Sequence, residues 1–167
     1  MRKAMLMLSV VAAMTFLIPN VTLACECVRP ADETAEQAKT AFLKEVKDAT
    51  AIFSGEVIES DMLMAKFKVD KVWKGDLKDE VIILTGAKRH GDGSYSRWSC
   101  DYDDYRLGEK YIIWADRTMD GLKAHVCSRT GLVDGADQDI SELNKLKASG
   151  SKLLMQKPQQ RGGRSRR

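Results

Sequence analysis

The amino-acid sequence predicts a mainly β domain, α+β by content, in which a small closed five-stranded antiparallel barrel carries two flanking helices. Three observations lead there. Five short segments alternate apolar with polar residues or run β-branched and aromatic, two longer segments repeat apolar residues at helical spacing, and all seven fit within about 125 residues.

The first helix begins at Thr34, where Gln37 three residues on completes the pattern of a capping box. Ala35, Ala38, Phe42, Val46 and Ala49 then fall on one helical stripe. Two half-buried strands follow. Ala51, Phe53, Gly55 and Val57 alternate with Ser54 and Glu56, and Phe67 and Val69 alternate with Lys66, Lys68 and Asp70. Lys74-Gly75-Asp76 punctuates the chain as a turn. Segments 81–85 and 111–115 are β-branched and aromatic runs, the second entered through Leu107-Gly108-Glu109, and a fifth strand over 122–126 ends directly at Cys127. Ile140, Leu143 and Leu146 recur at spacing three within 137–147, which predicts the second amphipathic helix.

Residues 1–24 have the composition of an export signal. Arg2 and Lys3 precede an uncharged run to Ile18, Pro19 and Asn20 break it, and Thr22-Leu23-Ala24 places small residues three and one positions before a cut ahead of Cys25. The run falls short of the roughly 20 apolar residues that span a bilayer, so no stable membrane insertion is expected. Lipoprotein processing would acylate Cys25, but its recognition box wants Leu where Thr22 stands. The expected organisation is therefore a cleaved signal over 1–24, one folded domain over 25–151 and a disordered basic tail over 152–167. The expected location is secreted, in a periplasm or outside the cell. The tail carries six basic residues and no acid, whereas 25–151 carries nineteen basic against twenty-four acidic, a net charge of −5. An acidic body argues against nucleic acid as a partner. A monomer is expected.

Cys25, Cys27, Cys100 and Cys127 all follow the cut, and an even count in an oxidising compartment predicts pairing. A bridge between Cys25 and Cys27, two apart on extended chain, would be strained. Each then reaches a distant partner, as Cys25–Cys100 with Cys27–Cys127 or as the crossed alternative. Soft-metal binding by the CxC pair is disfavoured by the export signal.

No enzyme is expected. His90 and His125 lack the spacing of a metal site and read as surface or turn residues. Asp101, Asp103 and Asp104 lack the glycine and closing glutamate of a calcium loop. Gly91-Asp92-Gly93 is a turn signal without phosphate-loop context. Trp73 and Trp114 lie in apolar strand patterns and read as core, leaving Trp98 as the exposed tryptophan.

At the processed end, Cys25-Glu26-Cys27-Val28-Arg29-Pro30 resembles the start of the tissue inhibitors of metalloproteinases. The likeness extends to the early helix, to Ile52-Phe53-Ser54-Gly55-Glu56-Val57, to Val69-Asp70-Lys71-Val72-Trp73-Lys74-Gly75, and to Gly108-Glu109-Lys110-Tyr111 leading to Cys127, and so covers most of 25–146. The family's inhibitory domain is an OB-like barrel of the netrin-module type. The resemblance is to a minimal, bacterial-type single-domain relative. The third bridge of that domain finds no cysteines here, and the second, cysteine-rich domain of the animal inhibitors is not matched.

The resemblance implies the pairing Cys25–Cys100 and Cys27–Cys127, and a secreted or envelope zinc metalloprotease as partner. It implies that the Cys25 α-amine and carbonyl oxygen chelate the target's zinc, that residue 26 enters the pocket beside the metal, and that Cys27, Val28 and Pro30 belong to the contact ridge. No intrinsic cofactor is expected, because the zinc belongs to the protease. Glu26 departs from the small hydroxyl residue usual in the animal inhibitors, and a carboxylate in an apolar pocket without a partner is costly, so a basic pocket or weak inhibition is expected. The alternative from a different class is a netrin-like binding module of the cell envelope or extracellular space without inhibitory activity.

Overall fold

The structure, a computed structural model, describes residues 25, 27, 32–97 and 100–155. The expected export signal, 1–24, and residues 156–167 of the expected tail lie outside the described residues, whereas 152–155 of that tail form a helical turn because Leu153 and Leu154 have an apolar cluster to pack against. Helix α1 (Ala35–Asp48) is followed by β1 (Ala51–Ser60), β2 (Met64–Lys74), β3 (Glu80–Leu84), β4 (Lys88–Arg89), β5 (Tyr95–Ser96), β6 (Lys110–Arg117), β7 (Leu122–Ala124) and β8 (Gly131–Leu132). Helix α2 (Asp137–Ala148) and a single turn α3 (Lys152–Met155) end the described chain.

Five strands close on themselves in the order β1-β2-β3-β7-β6, with β6 returning to β1. The result is an OB-like barrel. Its sheet is mixed, where an antiparallel one was expected: β3 and β7 run parallel, with Ile83 opposite Leu122 and Leu84 opposite Lys123. The reason is parity. Strands that alternate in direction around a ring must be even in number, so a ring of five requires one parallel neighbour pair. The other four pairings are antiparallel.

Three strands outside the predicted five are two residues long. β8 pairs with the β6 edge beside Tyr111 and Ile112, and β4–β5 is a separate hairpin whose turn is the Gly91-Asp92-Gly93 signal. There Asp92 accepts hydrogen bonds from the Ser94 amide (2.9 Å) and hydroxyl (2.7 Å). β7 stops at Ala124, two residues short of its expected end, and His125 makes only an isolated bridge to Asp101.

β1 and β6 are buried on both faces over much of their length, whereas β1 was expected to be half-buried. One face, with Ala51, Phe53, Val57, Tyr111, Ile113 and Ala115, fills the barrel together with Phe67 and Ile83. The other, with Ile52, Ile112 and Trp114, is roofed by Phe42, Val46 and Ala49 at the end of α1 and by Leu143 of α2. A strand sandwiched in this way loses the period-two signal because both sets of side chains leave water. The capping box of α1 is present: Thr34 Oγ1 accepts from Gln37 N (3.2 Å) and Gln37 Oε1 from Thr34 N (2.9 Å). Its apolar stripe is buried only from Phe42 onward, and Ala35 is exposed.

Polar contacts lock these layers. Lys74, 2% exposed, donates to the last carbonyls of α1, Val46 O (2.7 Å) and Lys47 O (2.8 Å), and burial pushes its ammonium pKa down. Asn144 of α2 accepts from Trp73 Nε1 (2.8 Å) and Lys71 Nζ (2.7 Å) on β2. Leu153 and Leu154 of α3 pack against the same outer cluster. Inside the barrel, the Tyr111 hydroxyl donates to Asp104 O (2.9 Å) and accepts from Arg106 N (3.0 Å), which pins the chain entering β6.

Closing so small a ring needs strong coiling, and the β1–β2 register shifts at three places to supply it. One shift lies between Ser54 and Gly55, where a β-carbon on residue 55 would stand 2.6 Å from Lys68 O. Gly55→Ala should therefore lower the unfolding free energy by about 2 kcal/mol in urea titration, whereas Gly91→Ala, in open space, should change it by less than about 0.5 kcal/mol. Equal effects at the two positions would remove close approach as the reason for Gly55.

Candidate N-terminal anchor site

The barrel brings residues 100–102 alongside 124–126. Val126 N donates to Cys100 O (2.9 Å) and Tyr102 N to Ala124 O (3.0 Å), with the Asp101–His125 bridge between them. Two cysteines far apart in the chain thus come to neighbouring positions at one end of the barrel. Cys25 is bonded to Cys100 and Cys27 to Cys127, closing separations of 75 and 100 residues. These are one of the two connectivities that spacing leaves open. Each closure removes about 4.5 kcal/mol of loop entropy from the unfolded chain on the chain-entropy model.

Both anchors rest on firm structure. Asp101, next to Cys100, lays its carboxylate where a β-carbon on Gly86 would stand, and Gly86 holds a left-handed φ of +78°. Beyond Cys127, the Ser128 hydroxyl donates to His125 O (2.7 Å) and bonds Thr130 Oγ1 (2.9 Å), and Thr130 Oγ1 accepts from Trp114 N on β6 (2.9 Å). Arg129 pairs with Glu45 of α1 (3.0 Å) and Asp139 of α2 (2.9 Å), with its guanidinium over the Phe42 ring. The segment 127–130 therefore joins the disulfide anchor to the barrel and to both long helices.

Cys25 is partly buried and Cys27 exposed. Glu26, Val28 and Pro30, the other expected contact residues, and Trp98 lie outside the described residues. Trp73 and Trp114 are buried, at 5% and 3% exposure. His90 is exposed in the β4–β5 hairpin, bonded to Ser96 Oγ (2.8 Å). Asp103 and Asp104 form ion pairs with Arg97 and Arg106, so these two acidic side chains face cations of the chain itself.

His125 is the residue whose setting sequence reasoning missed. It is exposed, at the bridge to Asp101 that precedes a turn, but its Nδ1 accepts from Cys127 N (3.1 Å) and its Nε2 lies 3.8 Å from Cys25 Sγ. Cys25 Sγ, Cys100 Sγ and a His125 ring nitrogen all lie within 4.8 Å of one another. With both sulfurs in a disulfide, the group presents no thiolate. The spacing of His125 two residues before Cys127 was the available signal. Arg129 and Thr130 had none.

No protein-family model matches the chain, and a search of curated proteins finds no match to it.

The anchor geometry predicts that replacing Cys27 and Cys127 together by Ser lowers the unfolding free energy by about 4 kcal/mol in urea titration, leaving Cys25–Cys100 in place. A loss below about 1 kcal/mol would show that this closure contributes little to stability.

Proposed function

We propose that this protein is a netrin-like relative of the tissue inhibitors of metalloproteinases. In this reading it is exported and inhibits a secreted or envelope zinc metalloprotease through the Cys25 amine and carbonyl. The observation that carries the reading is the double clamp: Cys25 and Cys27 are each bonded to one of two neighbouring segments at the end of an OB-like barrel. Two disulfides are compatible with an extracellular or periplasmic location.

The chemistry follows from a chain that starts at Cys25. Its α-amine and carbonyl oxygen form a five-membered chelate ring with a metal. A catalytic zinc keeps one coordination position for the water that attacks the substrate, and the chelate displaces that water. An α-amino group titrates near pH 8, at about 7.7–8.0, so a useful fraction is neutral and able to coordinate near neutrality. Clamping both cysteines in advance reduces the ordering cost of binding. Glu26 enters beside the metal and selects a target whose pocket offers a cation.

A second reading, a netrin-like binding module without inhibitory activity, is favoured by that same carboxylate at residue 26.

The test uses the exported protein with its N-terminus sequenced, assayed against a panel of secreted zinc endopeptidases. Inhibition by the chain beginning at Cys25 should be lost outright when one Ala is added before it, with the urea midpoint unchanged. Inhibition that survives the extension would exclude chelation. Absence of inhibition across the panel would favour the binding module.

A further inference from the structure

His125 takes no part in the proposed zinc contact, yet both its ring nitrogens are engaged at the anchor. An amide nitrogen can only donate, so Nδ1, which receives the Cys127 N–H at 3.1 Å, is the unprotonated nitrogen. The ring proton of the neutral imidazole is therefore on Nε2, the atom 3.8 Å from Cys25 Sγ. A donor held beside one sulfur of a disulfide matters little while the bond is intact, because a disulfide sulfur is a weak acceptor. It matters once that sulfur carries charge, since hydrogen bonds to ionised groups are roughly twice as strong.

We propose that Cys25–Cys100 is a thiol-exchange site for small thiols, with Cys100 Sγ as the sulfur attacked and Cys25 as the leaving thiolate stabilised by His125. An incoming thiolate forms a new S–S bond to Cys100 Sγ. The old bond breaks, and its electron pair leaves with Cys25 Sγ, which accepts the Nε2–H hydrogen bond and later takes a proton from water. The product is a mixed disulfide on Cys100, and a second thiol attacking the incoming sulfur releases Cys100 as a thiol, so that two thiols supply the two electrons. Exchange is faster when the leaving thiolate is more stable and slower when access is poor. Access alone favours the other bridge, because Cys27 is exposed whereas Cys25 and Cys100 are partly buried. The two factors therefore predict opposite orders of opening. The inference is independent of the inhibitory reading, since its readout is the state of the sulfurs and involves no protease.

The experiment exposes the folded protein to reduced glutathione under native conditions, quenches it with an alkylating reagent and maps the four cysteines by peptide mass. Cys25–Cys100 should open about tenfold faster than Cys27–Cys127, with glutathione on Cys100 and the alkyl group on Cys25. His125→Asn keeps an acceptor near the Nδ1 position for Cys127 N–H but removes the donor to sulfur, and should bring the rate down to that of the other bridge or below it, since access then decides the order. His125→Gln, with an amide donor near the Nε2 position, should retain most of the difference. In concentrated urea the preference should vanish for all three proteins. Earlier opening of Cys27–Cys127, glutathione on Cys25, or an unchanged ratio in His125→Asn would overturn the proposal.

Discussion

A ring of five strands cannot alternate in direction all the way round, and the site depends on how this protein meets that constraint. The parallel contact falls between β3 and β7, which makes β7 a short strand wedged between β3 and the end of β6. The chain leaving β7 runs beside residues 100–102, and that puts Cys127 and Cys100 on neighbouring segments. Two cysteines separated by one residue, Cys25 and Cys27, can then each reach a partner. Barrel closure, and not any local preference of the N-terminal segment, sets the geometry of the anchor.

The barrel is only half of the core. Its inner face is filled by Phe53, Phe67, Tyr111 and Ile113, and the outer face of β1 and β6 is covered by α1 and α2. The joint between the two layers is the segment after Cys127. Thr130 bonds to the β6 backbone while Arg129 reaches Glu45 and Asp139 on separate helices. Breaking a partly buried ion pair leaves an uncompensated charge, so this joint resists motion more than exposed pairs such as Lys44–Asp48 do. The joint lies next to the Cys27–Cys127 disulfide and ties it to the barrel and to both long helices.

The same end of the molecule carries two distinct chemistries in our reading. One belongs to the backbone of Cys25, whose amine and carbonyl are ligands for a foreign metal. The other belongs to its sulfur, which sits between Cys100 and the His125 ring. They are linked through the clamp, because a chelate held rigid by a cross-link loses that rigidity when the cross-link opens.

Much of this was legible from residues alone. The capping box at Thr34 and Gln37, the Ile140–Leu143–Leu146 stripe, the strand segments and the burial of Trp73 and Trp114 all follow from local spacing, because hydrogen bonds to near neighbours and one-sided burial leave periodic marks. The double burial of β1, the parallel β3–β7 contact and the arrest of β7 at Ala124 left no such mark, since each is imposed by an element distant in the chain. The cysteine count and spacing limited the connectivities to two. The closed barrel, by laying 100–102 against 124–126, brings Cys100 and Cys127 within reach of the CxC pair and His125 to the Cys25 sulfur, because contact between residues 100 positions apart is a property of the packed chain and not of its local sequence.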